Sequence, residues 1–288
     1  MICKVCGSTE AHHKFNLTEK LEIFSCKNCE VLFMEPQLND EEITLLYSEL
    51  YYKSWGISGD SENEVSKQMK IDTFLLRLQE IKKYVPTGKV LDIGCATGFF
   101  LEAARSLGYD PYGIELSEYS SNIAKRKFGK EAIFNGKLED CDFKPEFFDV
   151  ITMFDLIEHV RIPSEVLADA ARLLKPNGII MITTPDNKSL SNKLMGRRWT
   201  HYKKEHFYYF DHQSLDYIAK KNNLEILLSE SSKKALNIEY LHTQLNVYKH
   251  WLFTPVINLA HFILPKSAAK KNFHLAIGEI TVVLKKKT

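Results

Sequence analysis

The amino-acid sequence lacks an excess of charge of either sign. Its 288 residues include 38 Lys and Arg against 37 Asp and Glu, which gives a formal net charge of +1. Proteins that bind nucleic acid or another polyanion usually carry a basic excess or a strongly basic face. The charge balance therefore argues against a nucleic-acid partner.

Long apolar runs and a recognisable targeting segment are also missing. No stretch reaches the roughly 18 consecutive apolar residues that a membrane-spanning helix needs. The N-terminal MICKVCG has no charged region followed by an apolar one. We therefore expect a cytoplasmic protein, long enough for one domain of ordinary size and a smaller one.

Cysteine is scarce, but most of it falls into one pattern. Four of the six cysteines form two C-x-x-C pairs, Cys3 with Cys6 and Cys26 with Cys29. This spacing is typical of a zinc ribbon, in which four thiolates close a tetrahedral site and leave no open position for chemistry. In a reducing compartment, paired cysteines bind metal more often than they form disulfides. The pattern predicts a structural Zn²⁺ site.

From Lys89 onward, the apolar pattern alternates between strands and helices. The predicted strands are VLDIG (90–94), PYGIEL (111–116), AIF (132–134), DVITMF (149–154), IIMITT (179–184), LEILLSE (224–230) and GEITVVLKK (278–286). Such alternation predicts a parallel sheet with helices on both faces. We expect an α/β protein with a Rossmann-like, doubly wound, mostly parallel seven-stranded sheet and a small N-terminal zinc ribbon.

The same patterns divide the chain into three parts. Residues 1–36 form the ribbon, and residues 37–85 form a helical segment that links it to the core or covers a bound cofactor. Helical periodicity over 41–55 and 65–85 supports this segment, in which Tyr51, Tyr52 and Trp55 could close over the ligand. Residues 86–288 form the core, with an insertion over 232–276 that serves as a lid or an interface.

The turn after the first core strand lacks the third glycine of a dinucleotide fingerprint. It reads Gly94-Cys95-Ala96-Thr97-Gly98, whereas that fingerprint is G-x-G-x-x-G. Asp92 precedes the first glycine by two residues, and at about 4 Å its charge would repel a diphosphate by about 1 kcal/mol or more. A carboxylate there favours a cationic ligand such as the sulfonium S-adenosylmethionine. Glu115 ends the next strand, where an acidic residue accepts hydrogen bonds from ribose hydroxyls.

Residues 85–231 resemble the class I S-adenosylmethionine-dependent methyltransferases. VLDIGCATGFF is similar to the family's first motif, with Ala96 where glycine is commoner, and GIELS is similar to its acidic second motif. KLEDCDF resembles the loop beside the adenine, while FFDVITMFDLIEHV and LLKPNGIIMITTPD resemble the later strand motifs. The resemblance implies a set of cofactor-binding residues: Asp92, Gly94, Cys95, Ala96, Gly98, Glu115, Leu116, Leu138, Glu139 and Asp155.

Asp155, Glu158 and His159 follow the fourth core strand at the i, i+3, i+4 spacing of one helical face. In one interpretation His159, with an ordinary pKa near 6.5, is the general base for an acceptor hydroxyl. In a second, these three residues and His206 hold a divalent metal that lowers the pKa of the hydroxyl. In a third, Asp155 and Glu158 form only a capping box.

D-x-x-E-H also resembles a motif of ubiquinone-pathway O-methyltransferases and small-RNA 2′-O-methyltransferases, where it binds magnesium. The resemblance implies Mg²⁺ as the ion. From the competing interpretations above, we predict Glu158, His159 and His206 as the catalytic residues.

The segment GRRWTHYKKEHFYYFD (196–211) interleaves basic and aromatic residues. Arg197 and Arg198 suit a phosphate, and Trp199 and Tyr208 could stack on a sugar or quinone ring. We therefore predict these four as substrate-binding residues, although a basic surface loop over an aromatic core would give the same pattern.

Residues 240–278 contain four lysines and no Asp or Glu. Their apolar stretch WLFTPVINLAHFILP is too short to span a bilayer. It could form a lid, a dimer face, or a peripheral membrane contact through residues 249–271.

Together, the ribbon, the methyltransferase motifs and the EH pair resemble enzymes that methylate sugars in surface-glycan pathways. This predicts transfer to a small molecule, namely a nucleotide-linked or lipid-linked sugar. Three alternatives stay open: a ubiquinone-pathway-like phenolic O-methyltransferase, a zinc-ribbon RNA methyltransferase, and a non-catalytic cofactor sensor.

Overall fold

The N-terminal part of the computed structural model is a small antiparallel sheet. The structure describes residues 1–39, 41–43, 57–58, 61–62, 64–247, 249, 251 and 253–287. The first strands are β1 (Ala11–Asn16), β2 (Glu22–Cys26), β3 (Leu32–Glu35), β4 (Ile57–Ser58) and β5 (Ser61–Glu62). The helix predicted over 41–55, with Tyr51, Tyr52 and Trp55, lies mostly outside the described residues.

Helices and strands then alternate along the chain, as the sequence predicts. They are α1 (Glu64–Ile81), β6 (Lys89–Ile93), α2 (Phe99–Ser106), β7 (Asp110–Glu115), α3 (Glu118–Phe128), β8 (Ile133–Asn135), β9 (Phe148–Phe154), α4 (Pro163–Leu173), β10 (Leu174–Pro185), α5 (Leu190–Met195), β11 (Tyr208–Tyr209), α6 (His212–Lys221), β12 (Leu224–Leu236), α7 (Ile238–Val247), α8 (Phe253–Ile263), α9 (Lys266–Ala269) and β13 (Phe273–Lys286). Short 3₁₀ turns cover Leu138–Asp140 and Gly196–Arg198.

The core sheet has seven strands in the order β12-β13-β10-β9-β6-β7-β8. Strands β6 to β10 pair in parallel, and β13 runs antiparallel between β10 and β12. The predicted α/β fold class is thus confirmed. Strand β7 lies on one side of β6, and β9 lies on the other. The strand order therefore reverses at β6, and ligands of open α/β sheets bind at such a switch point.

The apolar content of the central strands explains their position. In β6 and β9 nearly every residue is buried, on both faces of the sheet, which requires near-continuous apolar sequence. Helix α4 covers the sheet with Leu167, Ala170 and Leu173, spaced three residues apart, and it begins with Pro163, whose fixed φ suits a first helical turn.

The cysteine-bearing sheet is part of the same body as the core. Strand β3 pairs with β11 from the core, so that Leu32 lies opposite Tyr209 and Phe33 opposite Tyr208. Buried residues of both parts belong to one apolar cluster, which includes Ile23 of the small sheet and Ile151 of the core. Loss of the ribbon would therefore expose part of the core.

The insertion is shorter than predicted because its two flanking strands are longer. Strand β12 continues to Leu236, and β13 begins at Phe273 and pairs with it, so the insertion spans 237–272 rather than 232–276. Helix α7 packs on the start of α1 through Tyr240, Leu241 and Met69. Among the described residues, no helix is long and apolar enough to cross a bilayer.

Candidate cofactor and acceptor site

The glycine-rich turn after β6 adopts left-handed backbone conformations. Gly94 has φ +81°, Ala96 has +47° and Gly98 has +87°. A Cβ on Gly98 would lie 2.6 Å from the ring of Phe128, so glycine is needed there for space as well as for conformation. Ala96 adopts its conformation at a cost of about 1 kcal/mol. The backbone N–H of Cys95 donates to the Ile114 carbonyl at 3.0 Å, while its side chain is buried.

Asp92 lies beneath this turn rather than at its open mouth. Its side chain is 4% exposed and accepts a 2.7 Å hydrogen bond from Thr152 Oγ1. Burial raises the pKa of Asp92 from 3.8 to about 7, although the bond from Thr152 and the charge of Arg77 oppose the shift. The expectation that the Asp92 carboxylate is open to a ligand at this turn is therefore wrong, because the side chain is buried.

Glu115 joins the turn after β6 to the turn after β7. Its two carboxylate oxygens accept from the backbone N–H groups of Ala96 at 2.9 Å and Ser117 at 2.7 Å. In its left-handed conformation, Ala96 thus donates its N–H to Glu115, the residue predicted to bind the ribose. Leu116, the next residue, is 57% exposed and open to a planar ring.

The loop predicted beside the adenine forms a 3₁₀ turn. Leu138 is buried, and Glu139 is exposed and pairs with Lys137 at 3.6 Å. The structure thus presents Glu139 on the surface, while Leu138 packs into the core.

The D-x-x-E-H sequence forms a turn and not a helix. Asp155 has φ +52°, and the next helix begins only at Pro163. The predicted helical face and the capping-box alternative are therefore both wrong. The turn instead directs Asp155 outward, with 45% of its side chain exposed, and buries Glu158 completely.

The turn brings Glu158 and His159 next to His206. Each offers a ligand atom, and these atoms all lie within 4.8 Å of one another. His159 Nδ1 lies 2.9 Å from the carbonyl of Glu205, which can only accept, so Nδ1 carries the proton and Nε2 keeps a lone pair. Glu158 accepts from Thr184 Oγ1 at 2.8 Å. Glu158 Oε1 and His206 Nδ1 are buried with no hydrogen-bond partner among the described residues.

Burial keeps the three side chains uncharged. The pKa of Glu158 is raised to about 8, mainly by desolvation and to a smaller extent by repulsion from Asp155. Desolvation lowers the pKa of His159 to about 4 and that of His206 well below its ordinary value. The prediction of a His159 base with an ordinary pKa is therefore wrong, whereas neutral imidazoles and unpartnered oxygen and nitrogen atoms fit a divalent cation.

A buried charge network that the sequence analysis missed borders this cluster. Lys234 lies 3.6 Å from Asp155 and also pairs with Glu279, which in turn lies 3.6 Å from Arg77. Burial alone would raise the pKa of Asp155, but the charges of Lys234 and Arg77 hold it below its usual value. The guanidinium of Arg77 stacks 4.5 Å from the ring centroid of Phe154. These residues come from α1, β12 and β13, and only strand pairing brings them together.

The four cysteines converge as their spacing predicts. The Sγ atoms of Cys3 and Cys29 are 3.7 Å apart and those of Cys6 and Cys26 are 3.4 Å apart, and all four lie within 4.8 Å of one another. A tetrahedron with Zn–S bonds of about 2.3 Å has edges of about 3.8 Å. The bond from Cys29, opposed by burial, lowers the pKa of Cys3 to about 5. The donor set fits zinc.

The predicted substrate-binding segment divides into an exposed and a buried part. Arg197 and Arg198 are exposed, but Trp199 and Tyr208 are 2% and 1% exposed. Trp199 Nε1 donates to Ser191 Oγ, and the Tyr208 hydroxyl donates to the Arg161 carbonyl. Both aromatics are packed in the core, so the prediction that they stack on a substrate is wrong.

Comparisons with known proteins identify the family of the chain. A model of the methyltransferase domain family matches residues 66–229. The ubiquinone biosynthesis O-methyltransferase of Thiobacillus denitrificans is 30% identical over 154 residues, which cover 50% of this chain and 63% of that protein. The mitochondrial enzyme of the same name from Schizosaccharomyces pombe is 31% identical over 112 residues, covering 37% and 41%. The chain thus spans less than two thirds of these curated relatives.

Solved structures share the fold at lower identity. An S-adenosylmethionine-dependent methyltransferase from Thermotoga maritima aligns with a TM-score of 0.52 and 21% identity, over 83% of this chain and 96% of that one. A methyltransferase solved in complex with the Haloferax volcanii Trm112 activator aligns with a TM-score of 0.56 and 15% identity, over 82% and 98%. By its family match and its sheet, the chain belongs to the methyltransferase domain family and has the Rossmann-like fold of S-adenosylmethionine-dependent methyltransferases.

Proposed function

We propose that the protein transfers a methyl group from S-adenosylmethionine to a hydroxyl group of a small molecule, with a divalent cation at Glu158, His159 and His206. The observation that carries the proposal is the pair of buried, unpartnered atoms Glu158 Oε1 and His206 Nδ1, which lie beside the ring of His159. Unpaired buried polar atoms are costly. A cation would satisfy both.

The glycine-rich turn supports a cofactor position next to it. Glu115 is anchored to this turn and is placed to accept from a ribose, and the left-handed backbone leaves room for a ligand close to the main chain. S-adenosylmethionine supplies a methyl group on a sulfonium, which needs no further activation. The chain has to place the acceptor oxygen within about 3–3.5 Å of that carbon and lower the cost of losing its proton.

The acceptor side lies next to the turn after β9. A cation there would lower the pKa of a bound hydroxyl, and its charge would favour the ionised form of Glu158. The carboxylate of Asp155, held ionised by Lys234, faces the same open side. It can orient a cationic or hydroxyl-bearing ligand.

A phenolic acceptor agrees best with the relatives. The curated proteins that match are named ubiquinone biosynthesis O-methyltransferases. A phenol, with a pKa near 10 as in Tyr, requires only modest activation by a cation. We therefore place a phenolic hydroxyl first.

A sugar acceptor is the second candidate. The exposed guanidinium groups of Arg197 and Arg198 favour it, since they suit a diphosphate and lie in the segment that also supplies His206. Trp199 and Tyr208 are buried in the core and do not stack on a sugar ring, so only the two arginines support a sugar acceptor. A glycan acceptor is thus weaker than the phenolic one.

We further propose that Zn²⁺ occupies the four-cysteine site as a structural ion. Four sulfur atoms at tetrahedral separations leave no position open for a substrate. The ion would hold β2 and β3, and through β11 it would support the segment that carries His206.

A methyl-transfer assay with labelled S-adenosylmethionine would test the acceptor. We expect labelling of a catechol and a loss of labelling when EDTA removes the cation. Labelling of a nucleotide sugar and not of the catechol would favour the second candidate, and labelling of tRNA alone would reject both. Calorimetry with S-adenosylhomocysteine tests the cofactor site separately, since Glu115→Gln should weaken binding whatever the acceptor.

A further inference from the structure

Helix α8 and its flanks present a large apolar surface to solvent. Trp251, Val256, Leu259, Phe262 and Ile263 are 79%, 56%, 59%, 86% and 66% exposed. Along the helix, the last four follow a spacing of three or four residues, which places them on one face. Isolated exposed apolar residues are normal, but a contiguous stripe of this kind marks an interaction surface. We call it the α8 face.

The polar side of α8 is turned inward. Thr254 Oγ1 donates to the Leu245 carbonyl at 3.1 Å, the Asn246 amide donates to Asn258 Oδ1 at 3.3 Å, and the ring of His261 stacks on that of His242 with centroids 4.0 Å apart. Helix α8 thus packs against α7 with its hydrogen-bonding residues. A surface helix normally does the opposite. Because these hydrogen bonds hold the polar side of α8 against α7, its apolar side faces outward.

The segment that carries the α8 face has charged residues of one sign only. Residues 240–278 contain no Asp or Glu. Their lysines, Lys249, Lys266, Lys270 and Lys271, are all exposed at the two ends of the helix. A symmetric contact between two copies of this face would bring these lysines together, and such repulsion disfavours a dimer. An anionic lipid surface complements both the charge and the apolar stripe.

The insertion that carries the α8 face leaves the core sheet at the edge where the cofactor turn lies. The Ala235 N–H donates to Thr73 Oγ1 at 3.0 Å, so the end of β12 is bound to α1. Beyond the pair Pro185 and Glu279, β12 and β13 continue as a two-stranded extension that carries the insertion. A surface bound by α8 would therefore lie on the side where the cleft opens.

We propose that the α8 face docks on an anionic membrane, lying in the interface without crossing it. The eleven residues of α8 would bury their apolar side among the headgroups, with Lys266, Lys270 and Lys271 against lipid phosphates. The proposal goes beyond the proposed function and holds for either acceptor.

Vesicle flotation with the full chain tests the proposal. Wild-type protein should float with vesicles of equal parts phosphatidylcholine and phosphatidylglycerol and should bind phosphatidylcholine alone at least tenfold more weakly. Leu259→Gln with Phe262→Gln should reduce the partition coefficient at least tenfold. Each of Lys266→Gln, Lys270→Gln and Lys271→Gln should reduce it about fivefold on anionic vesicles.

A matched control replaces two exposed apolar residues elsewhere, Ile2→Gln with Leu227→Gln, and should float like wild type. All these positions are exposed, so circular dichroism should show unchanged folding. Equal flotation of the Leu259/Phe262 variant and wild type would overturn the proposal. So would wild-type protein that does not float but sediments as a dimer which this variant makes monomeric, because the face would then be a contact between copies.

Discussion

The predicted four-cysteine ribbon and the carboxyl edge of the core sheet both gather ligand-type side chains, but they differ in completeness. In the predicted ribbon, the four sulfur atoms lie within 4.8 Å of one another, and four thiolates are a full set of ligands for a tetrahedral ion. At the sheet edge, Glu158 and His206 retain buried atoms with no hydrogen-bond partner in the described part of the chain. Two non-glycine residues there, Ala96 and Asp155, adopt left-handed backbone conformations.

Under the proposed function, this difference means that the cysteine cluster stabilises the protein and the sheet-edge cluster binds a ligand. A closed donor set returns its binding energy to folding. An incomplete one costs stability, and such strain and unsatisfied atoms concentrate at functional sites. Substitutions in the ribbon should therefore affect stability first, and substitutions at the sheet edge should affect activity first.

The largest expected effect is in the ribbon. Cys26→Ser with Cys29→Ser removes two of the four thiolates, and we expect the free energy of unfolding to fall by at least about 5 kcal/mol. Thermal unfolding together with zinc content by mass spectrometry measures this. Cys141→Ser, a buried cysteine outside the cluster, is the control and should cost about 1 kcal/mol. Unchanged stability of the double variant would mean that the cluster has no structural role.

Asp92→Asn should change the way in which the free energy of unfolding depends on pH. The folded-state pKa of Asp92 is about 7 against an ordinary 3.8, so the folded carboxyl keeps its proton where the unfolded one loses it. The stability that Asp92 contributes is therefore lost as pH rises from 4 to 7, by up to about 4 kcal/mol at 1.36 kcal/mol per pKa unit. In cofactor-free urea unfolding, the difference in stability between wild type and the asparagine variant should change with pH by this amount, whereas the contributions of Glu158 and the histidines are common to both.

A parallel pH dependence of wild type and Asp92→Asn would contradict the assignment of the titration to this residue. The same variant should bind S-adenosylmethionine more weakly above pH 7, where the carboxyl of wild-type Asp92 is ionised and would attract the sulfonium.

Glu158→Gln should reduce activity more than stability, the opposite of what we expect for the cysteine substitutions. At pH 7 the carboxyl, with a pKa of about 8, is mostly protonated, so glutamine of similar shape should change stability by no more than about 1 kcal/mol. The rate constant kcat should fall at least about 100-fold. Glu131→Gln, at an exposed position outside the predicted site, serves as the matched variant. Full activity of Glu158→Gln, insensitive to EDTA, would remove the cation from the proposal.

The smallest effect is expected at the turn itself. Ala96→Gly relieves the left-handed conformation but gains freedom in the unfolded chain, so the net change should stay within about 1 kcal/mol. Gly98→Ala places a Cβ 2.6 Å from the Phe128 ring and should cost about 2 kcal/mol. Urea unfolding of the two variants compares them directly. Equal effects would indicate that the turn relaxes on substitution.

Local patterns predicted the elements well and failed where packing decides. The strand at 90–94 and the turn after it are found at 89–93 and 94–98, because apolar runs and glycines act over a few residues. The same spacing rules gave a helix at Asp155 to His159, where the chain instead turns. Trp199 and Tyr208 look like ligand-stacking residues in sequence, yet the ribbon and the core cover them.

By itself, the sequence determined the order of strands and helices, the glycine-rich turn and the two cysteine pairs, since each depends on residues close together in the chain. Only the tertiary structure decided that His206 meets Glu158, that Arg77, Lys234 and Glu279 surround Asp155, and that α8 turns its apolar side outward. The physical reason is that desolvation, charge pairing and helix orientation depend on neighbours from distant parts of the chain. Those neighbours become known only when the sheet is assembled.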